Sequence, residues 1–151
     1  MTKTKVSDWM TRDPITIEEN ASIMEAMHVM KANEIRRLPV MRDGRLTGVI
    51  TDRMLKDYSP GKATPLDTWE VHYLLDRTAV SEVMNKHPHT VRPDALLTDA
   101  ALIIRQHKLY GVCVLDDAGA LVGVLTIKDL LDALFYLSEL TAKAPELAAV
   151  T

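Results

Sequence analysis

The segment 123–129, Gly-Val-Leu-Thr-Ile-Lys-Asp, places a threonine and an aspartate three residues apart. An apolar run ends at Thr126, where we expect a strand to give way to a helix whose first turn holds Asp129. Such a helix start offers free backbone N–H groups and the positive end of the helix dipole. A carboxylate there can accept hydrogen bonds from both hydroxyls of a ribose diol. The alternative is helix capping alone, for which this Thr and Asp pair is equally suited.

Other residue types that carry chemistry do not form a recognisable site. His87 and His89 flank Pro88 and would share one face of a strand, but a third metal ligand is not close in sequence. The nucleophile elbow, the Walker lysine and a pair of catalytic carboxylates are not found. We therefore expect surface histidines, no metal site and no catalytic residue. The single cysteine, Cys113, lies in an apolar run and is expected to be a buried hydrophobe.

The elements that must position Thr126 and Asp129 occur twice in the chain. Val-Ser-Asp-Trp-Met at 6–10 returns as Val-Ser-Glu-Val-Met at 80–84, which is 74 residues later. After one inserted residue, Gly-Val-Ile-Thr at 48–51 matches Gly-Val-Leu-Thr at 123–126. Ordered self-similarity of this kind predicts two copies of one supersecondary unit.

Each copy is predicted to have the order βαββα. A short β-rich run, 15–17 or 89–91, precedes a helix with apolar residues at helical spacing. Ser22 and Glu25 are placed as a capping box in the first copy, and Asp94 is the expected cap in the second.

A hairpin and a second helix complete each copy. The first hairpin turns through Asp43-Gly44, which suits a type I′ turn, and the second turns through 116–119. The last helix begins at Thr51 or Thr126. One copy alone buries little surface, so we expect an α/β (α+β) fold in which the two repeats pack with pseudo-twofold symmetry into one module, with a ligand cleft between them.

Bulk composition excludes some classes of binding partner. The net charge of −3 and the pI near 5.9 argue against nucleic acid and against an anionic membrane surface as partners. The N-terminus is polar, and no apolar stretch is long enough for a signal peptide or a membrane span, so a cytoplasmic location is expected.

The tandem βαββα repeat, with its Gly-x-x-Thr-x-x-Asp junction, resembles a stand-alone pair of CBS (cystathionine β-synthase-type) domains, including regulators of the acetoin-utilisation type. The resemblance implies the following division: CBS domain 1 at 6–58, an ordered linker at 59–79, CBS domain 2 at 80–136, and a C-terminal helix and tail at 137–151. It also implies a homodimer and regulation of an unknown effector protein. The ligand would be AMP, ADP, ATP or S-adenosylmethionine, bound as a regulatory ligand with no cofactor required.

The resemblance also assigns roles to residues. Thr126 and Asp129 would hold the ribose, with Lys128 as a weaker phosphate contact. The remaining contacts would come from the first strand region and the basic pair of the other copy: Thr11, Pro14, Ile15 and Thr16 around the adenine, Ile35 on the base, and Arg36 and Arg37 at the phosphates. Adjacent residues of a strand point to opposite faces, so at most one of the two arginines would face a given cleft.

The first copy departs from the pattern. Met54 stands where the ribose aspartate belongs, and the second copy has Tyr110-Gly111 in place of the arginine pair. We therefore expect one competent site and one weak or empty site formed by Thr51, Asn85, Pro88 and Thr90. A sensor of an adenosyl compound is the preferred hypothesis. The alternatives are a ligand-free dimerisation or protein-interaction module and, least favoured, an enzyme.

Overall fold

The computed structural model describes residues 3–59 and 66–143. These residues divide into two compact units that interleave along the chain. The first, called here the Asp129 unit, combines the described residues of Met1–Asp13 with those of His89–Thr151. The second, the Met54 unit, holds the described residues of Pro14–Pro88. The unit boundaries therefore fall inside the sequence repeats, because residues 6–13 precede the strands of the first repeat but belong with the second.

Regular structure begins with a 3₁₀ turn at Val6–Asp8, and a second 3₁₀ turn lies at Val80–Glu82. The order βαββα occurs twice, as β2-α1-β3-β4-α2 and as β5-α4-β6-β7-α5, which confirms the predicted mixed α/β fold. The strands and helices are, in chain order, β1 (Thr11–Arg12), β2 (Ile17–Glu18), α1 (Ile23–Ala32), β3 (Arg37–Arg42), β4 (Arg45–Thr51), α2 (Asp52–Tyr58), α3 (Thr68–Arg77), β5 (Thr90–Val91), α4 (Leu97–Gln106), β6 (Gly111–Leu115), β7 (Leu121–Thr126) and α5 (Ile127–Lys143).

The two sheets share one topology. In the Met54 unit the strand order is β2-β3-β4, with β2 parallel to β3 and β3 antiparallel to β4. The Asp129 unit repeats this as β5-β6-β7 and adds β1 antiparallel to β7. At the place equivalent to β1, the Met54 unit has a single bridge between Val49 and Asn85.

Each unit contains a segment, beginning at Val6 or at Val80, that docks through the same backbone bonds. Val6 N–H donates to Ala95 O at 3.0 Å, and Val80 N–H donates to Ala21 O at 2.7 Å. Both valines are fully buried. Apolar burial together with paired backbone groups fixes these segments, which carry the residues that approach each strand–helix junction.

A glycine in each last strand permits the segment to come close. A Cβ at Gly123 would lie 2.8 Å from both Met10 Sδ and Thr11 O. A Cβ at Gly48, the equivalent position, would lie 2.6 Å from Asn85 O. Any larger residue would push the docked segment away, so both glycines are dictated by backbone approach.

The units have separate apolar cores, and burial of these side chains is the main stabilising term in each. The largest fully buried residues of the Met54 unit are Ile23, Leu38, Ile50 and Leu55, and those of the Asp129 unit are Val6, Val114 and Leu125. Cys113 is buried, as predicted.

One prediction about local structure is confirmed, and a second is confirmed in part. Asp43 and Gly44 have φ values of 50° and 75°, the pair of left-handed residues that a type I′ turn requires. Ser22 caps α1, because its Oγ accepts a hydrogen bond from Glu25 N–H at 3.1 Å.

The predicted cap at Asp94 is wrong. Helix α4 begins at Leu97, after Leu96, which provides no side-chain cap. Leu97 N–H instead donates to Thr4 O at 2.7 Å, so the docked N-terminal segment supplies an acceptor at this helix start. The Asp94 carboxylate lies 3.6 Å from Arg92 Nε and forms an ion pair with it.

The predicted linker between the repeats contains a helix, α3. Helix α3 buries Leu75 and leaves Trp69 84% exposed. Residues 60–65 of the predicted linker and residues 144–151 of the predicted tail lie outside the described residues. Within the described ranges, no helix combines the length and the hydrophobicity needed to cross a membrane.

Candidate functional site

The junction between β7 and α5 holds a buried carboxylate. Asp129 is 6% exposed and lies one turn inside the helix that follows Thr126. Thr126 N–H donates to Asp129 Oδ2 at 2.9 Å, and Asp129 N–H lies 3.4 Å from Thr126 Oγ1. Thr126 Oγ1 also lies 3.1 Å from the carboxylate. The helix-capping arrangement, given above as the alternative interpretation of this Thr and Asp pair, is therefore formed. It fixes the carboxylate at the helix N-terminus.

Thr11 reaches the same carboxylate from the other end of the chain. Strand β1 pairs antiparallel with β7, with Thr11 opposite Val124. Thr11 Oγ1 lies 3.2 Å from Oδ1 and 3.4 Å from Oδ2 of Asp129, so its hydroxyl spans both oxygens. Three of the predicted site residues, Thr11, Thr126 and Asp129, are thus brought together in one unit.

The sequence placed Thr11 beside the adenine and did not predict its bond to Asp129. The two residues are 118 positions apart, and a local motif cannot indicate that pairing. The sequence held an indirect signal, because Met10-Thr11 and Met84-Asn85 occupy equivalent positions in the repeat. In the structure each pair lies close to the glycine of a last strand, Gly123 or Gly48.

The cluster can bind by hydrogen bonding. Its polar atoms are a carboxylate, two hydroxyls and backbone N–H groups at a helix start, a set suited to hydroxyl or anionic groups.

Lys128 lies apart from this cluster. Its Nζ forms an ion pair with Asp132 Oδ2 at 3.2 Å, and its side chain is 83% exposed. The pairing of residues i and i+4 is a common surface arrangement.

The other six predicted contacts belong to the Met54 unit. Pro14, Ile15 and Thr16 lie between β1 and β2, and Ile15 is 42% exposed. Ile35 packs against the core of that unit. The basic pair comes at the start of β3, where Arg36 is exposed and Arg37 is partly buried.

The equivalent junction of the Met54 unit keeps the cap and lacks the carboxylate. Thr51 Oγ1 accepts from Met54 N–H at 3.2 Å. Asp52, the nearest acidic residue, pairs with Lys56 at 3.0 Å. Asn85, equivalent to Thr11, uses its Oδ1 to accept from His87 N–H at 3.0 Å.

The histidines are exposed, and two of them stack. The rings of His89 and His107 have centroids 4.1 Å apart and planes 29° apart. Across residues 3–59 and 66–143, no group of three or more His, Cys, Asp or Glu side chains is arranged to hold a metal ion.

The duplicated βαββα unit with this junction is the architecture of a CBS domain pair. The CBS domain family matches residues 6–61 and 80–136, and the chain belongs to that family. A CBS domain-containing protein of Dictyostelium discoideum is 33% identical over 138 residues, which are 91% of this chain and 95% of that protein.

Solved structures support the same fold. A Vibrio cholerae structure described as an acetoin utilization protein (AcuB) has a TM-score of 0.75 and 29% identity to this chain. It covers 92% of this chain and 96% of that one. CBSX2 from Arabidopsis thaliana, solved in complex with AMP, has a TM-score of 0.74 and 26% identity, covering 89% and 98%. A CBS domain pair in complex with 5′-methylthioadenosine and S-adenosyl-L-methionine has a TM-score of 0.70 and 26% identity, covering 87% and 99%.

Enzymes among the relatives match over a small part of their length. An L-aspartate semialdehyde sulfurtransferase of Methanocaldococcus jannaschii is 28% identical over 130 residues, and this chain spans 22% of that protein. The similarity is thus to the CBS region, and CBS pairs are generally regulatory modules.

Proposed function

We propose that this protein is a regulatory module that binds an adenosyl compound and catalyses no reaction. The observation that carries the proposal is the Asp129 carboxylate, buried at a helix N-terminus beside Thr126 and Thr11. Support also comes from the related pairs solved with AMP and with S-adenosyl-L-methionine.

The chemical basis is recognition of the ribose. A vicinal diol presents two O–H donors at a spacing that matches the two oxygens of one carboxylate, and bonds to an ionised acceptor are the stronger kind. The helix N-terminus provides a favourable field for the negative charge of Asp129. The remaining predicted contacts to base and phosphate are Pro14, Ile15, Thr16, Ile35, Arg36, Arg37 and Lys128, and they are part of the proposal.

Regulation requires that the ligand bind one arrangement of the protein better than another. We propose a cytoplasmic homodimer whose packing responds to the bound adenosyl compound and is read by an effector protein. Sensing of cellular energy follows if the ligand is AMP, ADP or ATP.

A second candidate function is a ligand-free dimerisation or protein-interaction module. It is favoured by Met54 in place of an aspartate and by exposed apolar side chains along α5, among them Leu131, Leu134 and Phe135 at 48%, 55% and 66%. Helix faces of this kind mark contact surfaces.

Thermal melts with AMP, ADP, ATP, NADH and S-adenosylmethionine separate the two candidates. A ligand at about 100 times its Kd adds roughly 2.7 kcal/mol, which raises the midpoint of a chain of this size by about 5–10 °C. We expect such a shift with one or two of these compounds. Flat melts with all five would contradict the sensor and favour the interaction module.

The residue test uses a pair of variants at equivalent positions. Asp129→Ala removes the diol acceptor, so we expect it to abolish the ligand-induced shift; loss of the cap should lower the stability of the protein alone by ~1 kcal/mol. Met54→Ala is the matched control and should keep the full shift. Retention of the shift in Asp129→Ala would show that the ribose is held elsewhere.

A further inference from the structure

The carboxylate of Asp129 is already engaged on both of its oxygens. Thr126 contributes its N–H and its hydroxyl, and both act on Oδ2, at 2.9 and 3.1 Å. Thr11 is the residue whose hydroxyl reaches across to Oδ1, at 3.2 Å, while staying 3.4 Å from Oδ2. With 6% of Asp129 exposed, little of the carboxylate is open to another donor.

The bonds from Thr126 and from Thr11 differ in kind. The Thr126 bonds belong to the local cap of α5 and lie on one oxygen, so a ligand can bind without disturbing them. The Thr11 hydroxyl bridges the two oxygens, which is the position that a vicinal diol takes when each of its hydroxyls donates to one carboxylate oxygen. Thr11 and the diol therefore cannot both occupy it.

We propose that Thr11 is an internal competitor for the ribose diol and thereby sets the affinity threshold of the site. This inference rests on the proposed function. It predicts that the site prefers ligands with both ribose hydroxyls free. Two ligand hydroxyls can each donate to one oxygen and so replace the Thr11 hydroxyl that spans both, whereas a single ligand hydroxyl would only exchange one bond for an equivalent one.

Displacement of Thr11 requires a rotation of its side chain and leaves its backbone in place. Thr11 is an exposed residue, and threonine has alternative staggered χ1 rotamers. The backbone is held by the pairing of β1 with β7 and by the close approach of Thr11 O to Gly123. The hydroxyl can thus leave the carboxylate while the strand remains docked.

The test compares Thr11→Val, which keeps the β-branched shape and removes the hydroxyl, with Thr11→Ser, which keeps the hydroxyl. AMP and S-adenosylmethionine binding are measured by calorimetry, and melting points are recorded without ligand. A hydrogen bond to a charged group is worth enough to change an equilibrium about tenfold. We expect Thr11→Val to bind about tenfold more tightly and to melt at a lower temperature without ligand, whereas Thr11→Ser stays close to the wild type.

The opposite signs of these two effects distinguish competition from a structural role, which would lower both stability and affinity. The same titrations with 2′-deoxy-AMP should show a smaller gain from Thr11→Val than AMP does. Binding by Thr11→Val that is equal to or weaker than that of the wild type would overturn the inference and leave the proposed function standing, provided that wild-type binding is lost in Asp129→Ala. Absence of binding in the wild type and in every variant would overturn the proposed function and this inference with it.

Discussion

The two strand–helix junctions share a scaffold and differ in one functional group. In both, a threonine hydroxyl lies within hydrogen-bond distance of the N–H three residues later, at 3.2 Å for Thr51 and Met54 and at 3.4 Å for Thr126 and Asp129. The carboxylate of Asp129 is present in one junction, and a thioether takes its place in the other. The comparison teaches that the cap is common to the fold, whereas the buried acceptor is an addition to it.

The residues that approach the two junctions, Asn85 and Thr11, also differ in the hydrogen bonds that their side chains make. Asn85 uses its side chain within its own segment, on His87 N–H, while Thr11 donates to a residue 118 positions away. The Met54 unit satisfies these polar groups locally, and the Asp129 unit gathers them around one carboxylate. A long-range polar cluster of this kind, when its members are satisfied, rigidifies the structure around it.

The largest effect on stability should come from filling the two glycine positions that define the shared scaffold. Gly123→Ala and Gly48→Ala each place a Cβ within 2.8 Å of a backbone oxygen that cannot move without undocking its segment. We expect each to lower the free energy of unfolding by about 1–3 kcal/mol, as overpacking does. Thermal or urea unfolding measures this loss. Tolerance of alanine at one position alone would show that the two segments are not docked in the same way.

A smaller effect should follow from placing a carboxylate in the junction that lacks one. Met54→Asp adds a negative charge in the first turn of α2, which should stabilise the helix by about 0.3–1 kcal/mol. If the carboxylate is the decisive difference, calorimetry with AMP should also detect a second, weaker binding event. An unchanged stoichiometry would mean that the residues around Met54, such as Asn85, also prevent binding.

The smallest effect is expected at the exposed ion pairs next to the junctions. Lys128 pairs with Asp132, and Lys56 pairs with Asp52, both at a spacing of i and i+4. Lys128→Ala and Lys56→Ala should each cost about 0.3–0.5 kcal/mol of stability. Lys128→Ala should weaken AMP binding by less than about tenfold, or ~1.4 kcal/mol. A larger loss would make Lys128 a principal phosphate contact.

Much of the fold could be predicted because it depends on local pattern. The repeated motifs, the Asp43-Gly44 turn and the Ser22 cap each follow from residues that are close in sequence, and the structure agrees with them. The Thr126 and Asp129 spacing likewise predicted their proximity, since a cap and the third helical residue are neighbours in any helix.

The parts that were missed depend on contacts across the chain. Asp94 is a good cap by type, but the backbone of Thr4 supplies an acceptor at the start of α4. Pairing of β1 with β7 brings Thr11 to Asp129, and a two-residue strand has too little pattern to predict its partner. The make-up of the Asp129 unit, which combines residues before Pro14 with residues after Pro88, also depends on this pairing.

The central claim, that one junction binds an adenosyl ligand through its carboxylate, is tested most directly by titrating AMP and S-adenosylmethionine into the wild type and Asp129→Asn in a calorimeter. Asparagine keeps the shape of the side chain, and its carbonyl can still accept from Thr126 N–H, but it cannot accept from both hydroxyls of a diol. We predict one site per chain in the wild type for at least one of the two ligands, and no measurable binding in Asp129→Asn. Unaltered binding in Asp129→Asn, or two equal sites per chain, would contradict the account.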